Sequence, residues 1–132
     1  MGQSQLLMIV LGVIIVGIAV AVGISQMGES ALSANHDAVA QDNLRIVSQA
    51  QAWYRKPTSL GGGGSSFTGF TLAKAGMDST NANGTYSVSV ASDGTNLTIT
   101  GTGTELTSGG STVEVVTSYY AANDSTSTTD NM

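Results

Sequence analysis

From residue 6 to residue 24 the chain reads LLMIVLGVIIVGIAVAVGI, with no charged or strongly polar side chain. As a helix this run reaches about 28 Å, close to the ~30 Å hydrocarbon core of a bilayer. It is apolar on every side, so no face is suited to water. From Ser25 the pattern changes. Leu32, Val39, Ile46 and Trp53 recur every seven residues, and Ala31, Ala38, Val47, Ala50 and Tyr54 widen that stripe. This spacing predicts an amphipathic helix with one face to bury. No proline occurs before Pro57, so the two halves read as one continuous helix, closed by the basic pair Arg55–Lys56 and by Pro57.

Beyond the helix the period falls to two. Tyr86, Val88 and Val90 alternate with serines; Leu97 and Ile99 alternate with threonines; Val113, Val115, Thr117 and Tyr119 continue the pattern. Glycine turns at Ser92-Asp93-Gly94 and Thr107-Ser108-Gly109-Gly110 separate these segments. The prediction is an antiparallel meander with one apolar and one Ser/Thr-rich face. Its apolar face and the heptad stripe each need a cover, and each can serve the other. The fold class is therefore α+β: a long N-terminal helix packed against a small antiparallel sheet. The predicted parts are residues 1–24, an apolar transmembrane or filament-core helix; 25–56, its amphipathic continuation; 57–120, a glycine-rich loop and sheet head; and 121–132, a flexible tail, since AANDSTSTTDNM has no apolar pattern. The loop PTSLGGGGSSFTGF reads as a connector pinned by Leu60, Phe67 and Phe70, and residues 71–77 as a short helical turn. It lacks the Gly-Lys-Ser/Thr of a phosphate-binding loop.

Composition narrows the function. The formal charge is −5. Residues 1–28 carry no charged side chain and residues 29–56 balance, so the excess belongs to the head. An acidic head has no footprint for nucleic acid. The absence of cysteine excludes disulfides, thiolate metal sites and cysteine nucleophiles. One histidine, His36, with scattered carboxylates gives no metal site and no credible Ser-His-Asp set. No catalytic residue, cofactor or metal is expected, and the chain does not read as an enzyme. Aromatic residues are too few, and absent from the apolar half, for anything but packing. Sequons occur at Asn83, Asn96 and Asn123, and with the Ser/Thr-rich sheet face they make glycosylation a candidate modification.

The stretch MGQSQLLMIVLGVIIVGIAVAVGI, continuing into an amphipathic half under a small sheet, resembles the type IV pilins and their relatives that carry class III signal peptides. The stretch WYRKPTSLGGGGSSFTGF also resembles pilin-like proteins of environmental bacteria. The resemblance implies a precursor held in the membrane by its apolar helix and trimmed of a short basic leader by a prepilin peptidase. The mature chain would then be N-methylated and assembled by pilus machinery into an extracellular helical filament of many copies. An N-terminus without Lys or Arg before the run fits such trimming. Two registers fit, with Met1 or Gln3 as the first mature residue, and Met1 is preferred. In the Met1 register Gln5 stands where most pilins carry a glutamate, and it cannot neutralise an ammonium. The usual proline of the apolar half is absent too; Gly17 and Gly23 could loosen the helix in its place. The residues expected to carry assembly are Met1, Gln5, Leu6, Leu7, Ile9, Val13, Val16, Val20 and Ile24. Those expected to hold the head to the helix are Leu32, Val39, Ile46 and Trp53. The alternatives are a pseudopilin or minor subunit of a secretion or DNA-uptake machine, and a single-pass anchored surface protein.

Overall fold

The computed structural model describes residues 2–132; Met1, expected to take part in assembly, lies outside them. Among the described residues one helix, α1 (Gly2–Arg55), is followed by a 3-10 turn (Thr58–Leu60) and four strands: β1 (Gly84–Val90), β2 (Asn96–Leu106), β3 (Thr112–Tyr120) and β4 (Ser125–Asp130). The sheet is an antiparallel meander in the order β1-β2-β3-β4. The class is α+β, with a helix packed on a sheet.

At 54 residues α1 is about 81 Å long. It passes without a break through Gly12, Gly17 and Gly23, around which a side chain would meet open space. Its C-terminal half buries Val39, Asn43, Ile46, Val47, Ala50 and Trp53. Positions 39, 46 and 53 are the expected heptad, and Leu32 packs at its margin, half-buried. Opposite them lie Leu97, Ile99, Val113, Val115, Thr117 and Tyr119, all buried, with Tyr86 from β1. Val88 and Val90 are only half-buried, because β1 lies to one side of the helix contact.

The helix crosses β2 where that strand has no side chains. Gly101 and Gly103 alternate with Thr100, Thr102 and Thr104 and put bare backbone on the inner face. A Cβ on Gly101 would stand 2.5 Å from Val39 Cγ1 and 2.8 Å from Asn43 Oδ1, and one on Gly103 would run into Asn35 Oδ1. Glycine is required at both positions by close approach, its φ being ordinary.

Two expectations need correction. Residues 121–132 are not a loose tail, since 125–130 form β4, paired with β3 from Tyr120↔Ser125 to Val115↔Asp130. Asp124, with φ of 48°, turns the chain, and Tyr119 Oη donates to its carboxylate at 2.6 Å. Asn131 then accepts from Glu114 N–H and donates to the Thr112 carbonyl, both at 2.9 Å. Both faces of β4 are exposed, so no apolar alternation marks it. Leu60 is not a pin: it stands exposed on the 3-10 turn, whereas Phe67 and Phe70 are buried. Residues 71–77 hold the short helical turn expected there, with the N–H groups of Lys74 and Ala75 both donating to the Thr71 carbonyl.

Replacing Gly101 with valine should destabilise the head by about 1–3 kcal/mol, the usual cost of overpacking. Gly109→Ala, in an open turn, should be near neutral. Thermal unfolding of the detergent-solubilised chain compares them; equal melting temperatures would show that the helix does not need the bare strand.

Candidate assembly surface

Residues 6–24 form the largest apolar surface of the molecule, with every one of them exposed on all sides of α1. The sites Leu6, Leu7, Ile9, Val13, Val16, Val20 and Ile24 are distributed around this rod, and Gln5 lies exposed immediately before it. The structure brings none of these residues against the head. The rod is one unmodulated surface, long and apolar enough to cross a membrane.

The head grips the other half of the helix through apolar packing and through polar contacts that the heptad reading missed. Asn35, Asp42 and Asn43 fall three or four residues after Leu32 and Val39, and so face the sheet and its loops. Asn35 Oδ1 accepts the N–H groups of Thr104 and Glu105, where the β2–β3 register shifts, and its Nδ2 donates to the Asn83 carbonyl at 2.9 Å. Buried Asn43 donates from Nδ2 to the Val115 carbonyl at 2.9 Å and to Thr117 Oγ1 at 3.3 Å. Its Oδ1 has no partner among the described residues, a cost of about 1–3 kcal/mol. Asp42 Oδ2 accepts from Asn81 Nδ2, Asn83 Nδ2 and the Tyr86 hydroxyl, tying the entrance of β1 to the helix. Partial burial pushes the Asp42 carboxyl up. The hydrogen bonds from Asn83, Tyr86 and Asn81, with the Arg45 charge, outweigh this and hold it below its ordinary value. Burial and Asp42 together push the Tyr86 phenol up.

The four-glycine run closes the helix. The last carbonyls of an α-helix lack internal partners. Here Gly63 N–H donates to the Trp53 carbonyl at 2.9 Å, Ser65 N–H to Tyr54 at 2.8 Å and Gly64 N–H to Lys56 at 3.0 Å. The loop lies so close over Trp53 that a Cβ on Gly63 would reach within 2.5 Å of the indole. Gly61 and Gly64 take positive φ, at 81° and 57°. Trp53 meets Phe70 at 5.5 Å between ring centroids, Tyr54 meets Phe67 at 4.7 Å, and Phe67 meets Tyr119 edge-on at 5.7 Å. The Lys74 ammonium sits 5.1 Å from the Trp53 ring and donates to the Gly69 carbonyl.

His36 Nε2 lies 3.1 Å from the Asp130 carboxylate and Nδ1 3.4 Å from that of Asp37, joining the end of β4 to the helix. The three sequons separate. Asn83 is half-buried and engaged with Asp42, Asn96 is half-buried in β2, and Asn123 is exposed in the β3–β4 turn. A glycan can stand on Asn123 without disturbing a contact, but on Asn83 it would break the Asp42 cluster.

Comparison of the chain with protein-family models, with curated proteins and with solved structures finds no match.

The folded Asp42 carboxyl titrates below its unfolded value of about 3.9. Its contribution is therefore present above about pH 4 and lost as pH falls through the depressed folded value. Asp42→Asn should lower stability by about 1.5–3 kcal/mol at neutral pH, the scale of hydrogen bonds to a charged group, and flatten the decline below pH 4. Melting temperatures of both proteins between pH 2 and 7 check this; parallel curves would remove Asp42 from the acid response.

Proposed function

We propose that this chain is the structural subunit of an extracellular helical filament of the type IV pilus kind. Its apolar helix holds the precursor in a membrane and then packs with other copies as the filament core, while the sheet head forms the outer wall. The observation that carries this reading is the exposed apolar rod joined to the gripped half of the same helix with no linker between them.

Water is a poor solvent for this rod, because each Å² of apolar surface favours burial by about 25 cal/mol. Lipid and a bundle of identical rods both remove that surface from water, and in both the helix satisfies its own backbone. The unbroken helix favours the bundle. A tethered head works as well on a flexible linker, but a helical polymer needs every head at one orientation to its rod. A hydroxyl-rich outer face that also carries Glu114 suits a wall in contact with solvent. Gln5, exposed at the N-terminal side of the rod, can donate and accept hydrogen bonds between neighbours. Retention of the chain in a membrane, as a pseudopilin or an anchored surface protein, is the reading that takes over if no filament contains it.

Electron microscopy of filaments sheared from cells producing the chain should show thin fibres with residues 6–24 bundled along the axis. Ile15→Asp places a carboxylate in that core and should abolish fibres; abundant normal fibres from this variant would overturn the reading. With wild-type chain confined to the membrane fraction, the filament reading falls as well. Gln5→Ala should reduce fibre yield, and unchanged yield would remove Gln5 from assembly.

A further inference from the structure

We infer that the outer edge of β4 is an interaction surface for a second copy of this chain, pairing with the edge of β1 so that neighbouring heads share one continuous sheet. This rests on the filament reading for the parallel alignment of the copies.

β4 is an unusual strand. Both of its faces are exposed, it adds no residue to the core, and no strand lies on its outer side among the described residues. Its main support is the ladder to β3, with side-chain fastenings at its ends from Asp124, Asp130 and Asn131. The free side of an edge strand presents a row of unpaired N–H and C=O groups, a template for pairing with another chain. Natural edge strands are commonly blunted by lysine, proline, a bulge or an inward charge. Residues 125–129, Ser-Thr-Ser-Thr-Thr, carry none of these and are rich in threonine, which favours extended structure.

The opposite edge of the sheet matches it. Residues 79–81 cover the start of β1, through Tyr86 N–H to the Ser79 carbonyl, Asn81 N–H to the Gly84 carbonyl and the Thr80↔Thr85 bridge. Residues 87–90, Ser-Val-Ser-Val, have no such cover and again hold no charge and no proline. The two open stretches also lie at the same level of the sheet. Ser89, Thr98, Ser118 and Ser127 form one row across the four strands, and Ser87, Thr100, Val116 and Thr129 form the next.

Topology selects the partner edge. The described meander has an even number of strands, so β1 and β4 run in opposite directions. A second copy translated sideways, without being turned over, brings its β1 antiparallel to β4 and continues the alternation. Antiparallel pairing of β4 with a second β4 requires one copy to be inverted, which sends the two rods in opposite directions. A shared membrane or a bundle of parallel rods does not allow that. The β4-to-β1 contact is head-to-tail, the kind that propagates rather than closes when its operator is not a closing rotation. Four strands at ~4.8 Å set a spacing of about 19 Å between joined heads. Directly packed helices lie 8–10 Å apart, so rods from another row fit between those of joined heads.

The chain has no cysteine, so engineered thiols report without background. The double variants Ser89→Cys/Ser127→Cys, Ser89→Cys/Ser125→Cys and Ser89→Cys/Thr129→Cys place thiols on the outer face in the same row and one row to either side. After mild oxidation of intact cells or sheared fibres, at least one pair should give a ladder of trimers and larger species on non-reducing gels. The single variants should stop at dimers. Fibres that contain the variants yet give no ladder from any pair overturn the shared sheet and leave the filament standing. A ladder from membranes that make no fibres supports the edge contact and removes the filament. With neither ladder nor fibres, both fail.

Discussion

The close seating of α1 on β2 is the contact on which the rest of the head depends. An amphipathic helix normally rests on a layer of side chains, but here Gly101 and Gly103 remove that layer where the helix crosses. The result is a near-backbone contact that brings Val39 and Asn43 down among Val115 and Thr117. A head this small has little apolar area to bury. Close approach improves the dispersion contacts of the area it has and places short amides within reach of the sheet. Asn35, Asp42 and Asn43 use that reach, and the loop before β1, the irregular part of β2 and the middle of β3 are each tied to the helix by one of them.

Two of the polar fittings share one logic: each meets backbone groups that regular pairing leaves over. Asn35 serves the N–H groups of Thr104 and Glu105, where β2 shifts register, and the glycine run serves the carbonyls that the helix leaves at its end. The loop that looks most flexible in composition is thus one of the most closely fitted parts of the structure. Its glycines are there for lack of space and for positive φ, both dictated by Trp53 and the helix terminus.

Much of this was legible from spacing. The apolar run, the heptad Leu32, Val39, Ile46 and Trp53, and the three alternating segments identify the helix, its buried face and β1 to β3. What escaped was polar or edge-bound. Asn35, Asp42 and Asn43 lie at heptad offsets that face the sheet, but a pattern read from apolar spacing does not pick out polar residues on the buried face. Gly101 and Gly103 interrupt an alternating strand, a signal for close backbone approach. β4 was silent because neither face meets the core, leaving Asn123-Asp124 as its only turn signal. The rod was legible as a rod. Its exposed surface alone does not say which side a neighbour takes, because it is apolar all round.

The grip between head and helix also has a mechanical meaning. Val39, Ile46 and Trp53 span about 21 Å of axis, and polar ties are interleaved along the same length. A pull on the head parallel to the helix loads these contacts side by side rather than in succession, so they must yield together. Tension is thereby handed to the rod without a weak joint at Ser25, where its character changes from apolar to amphipathic but its backbone does not.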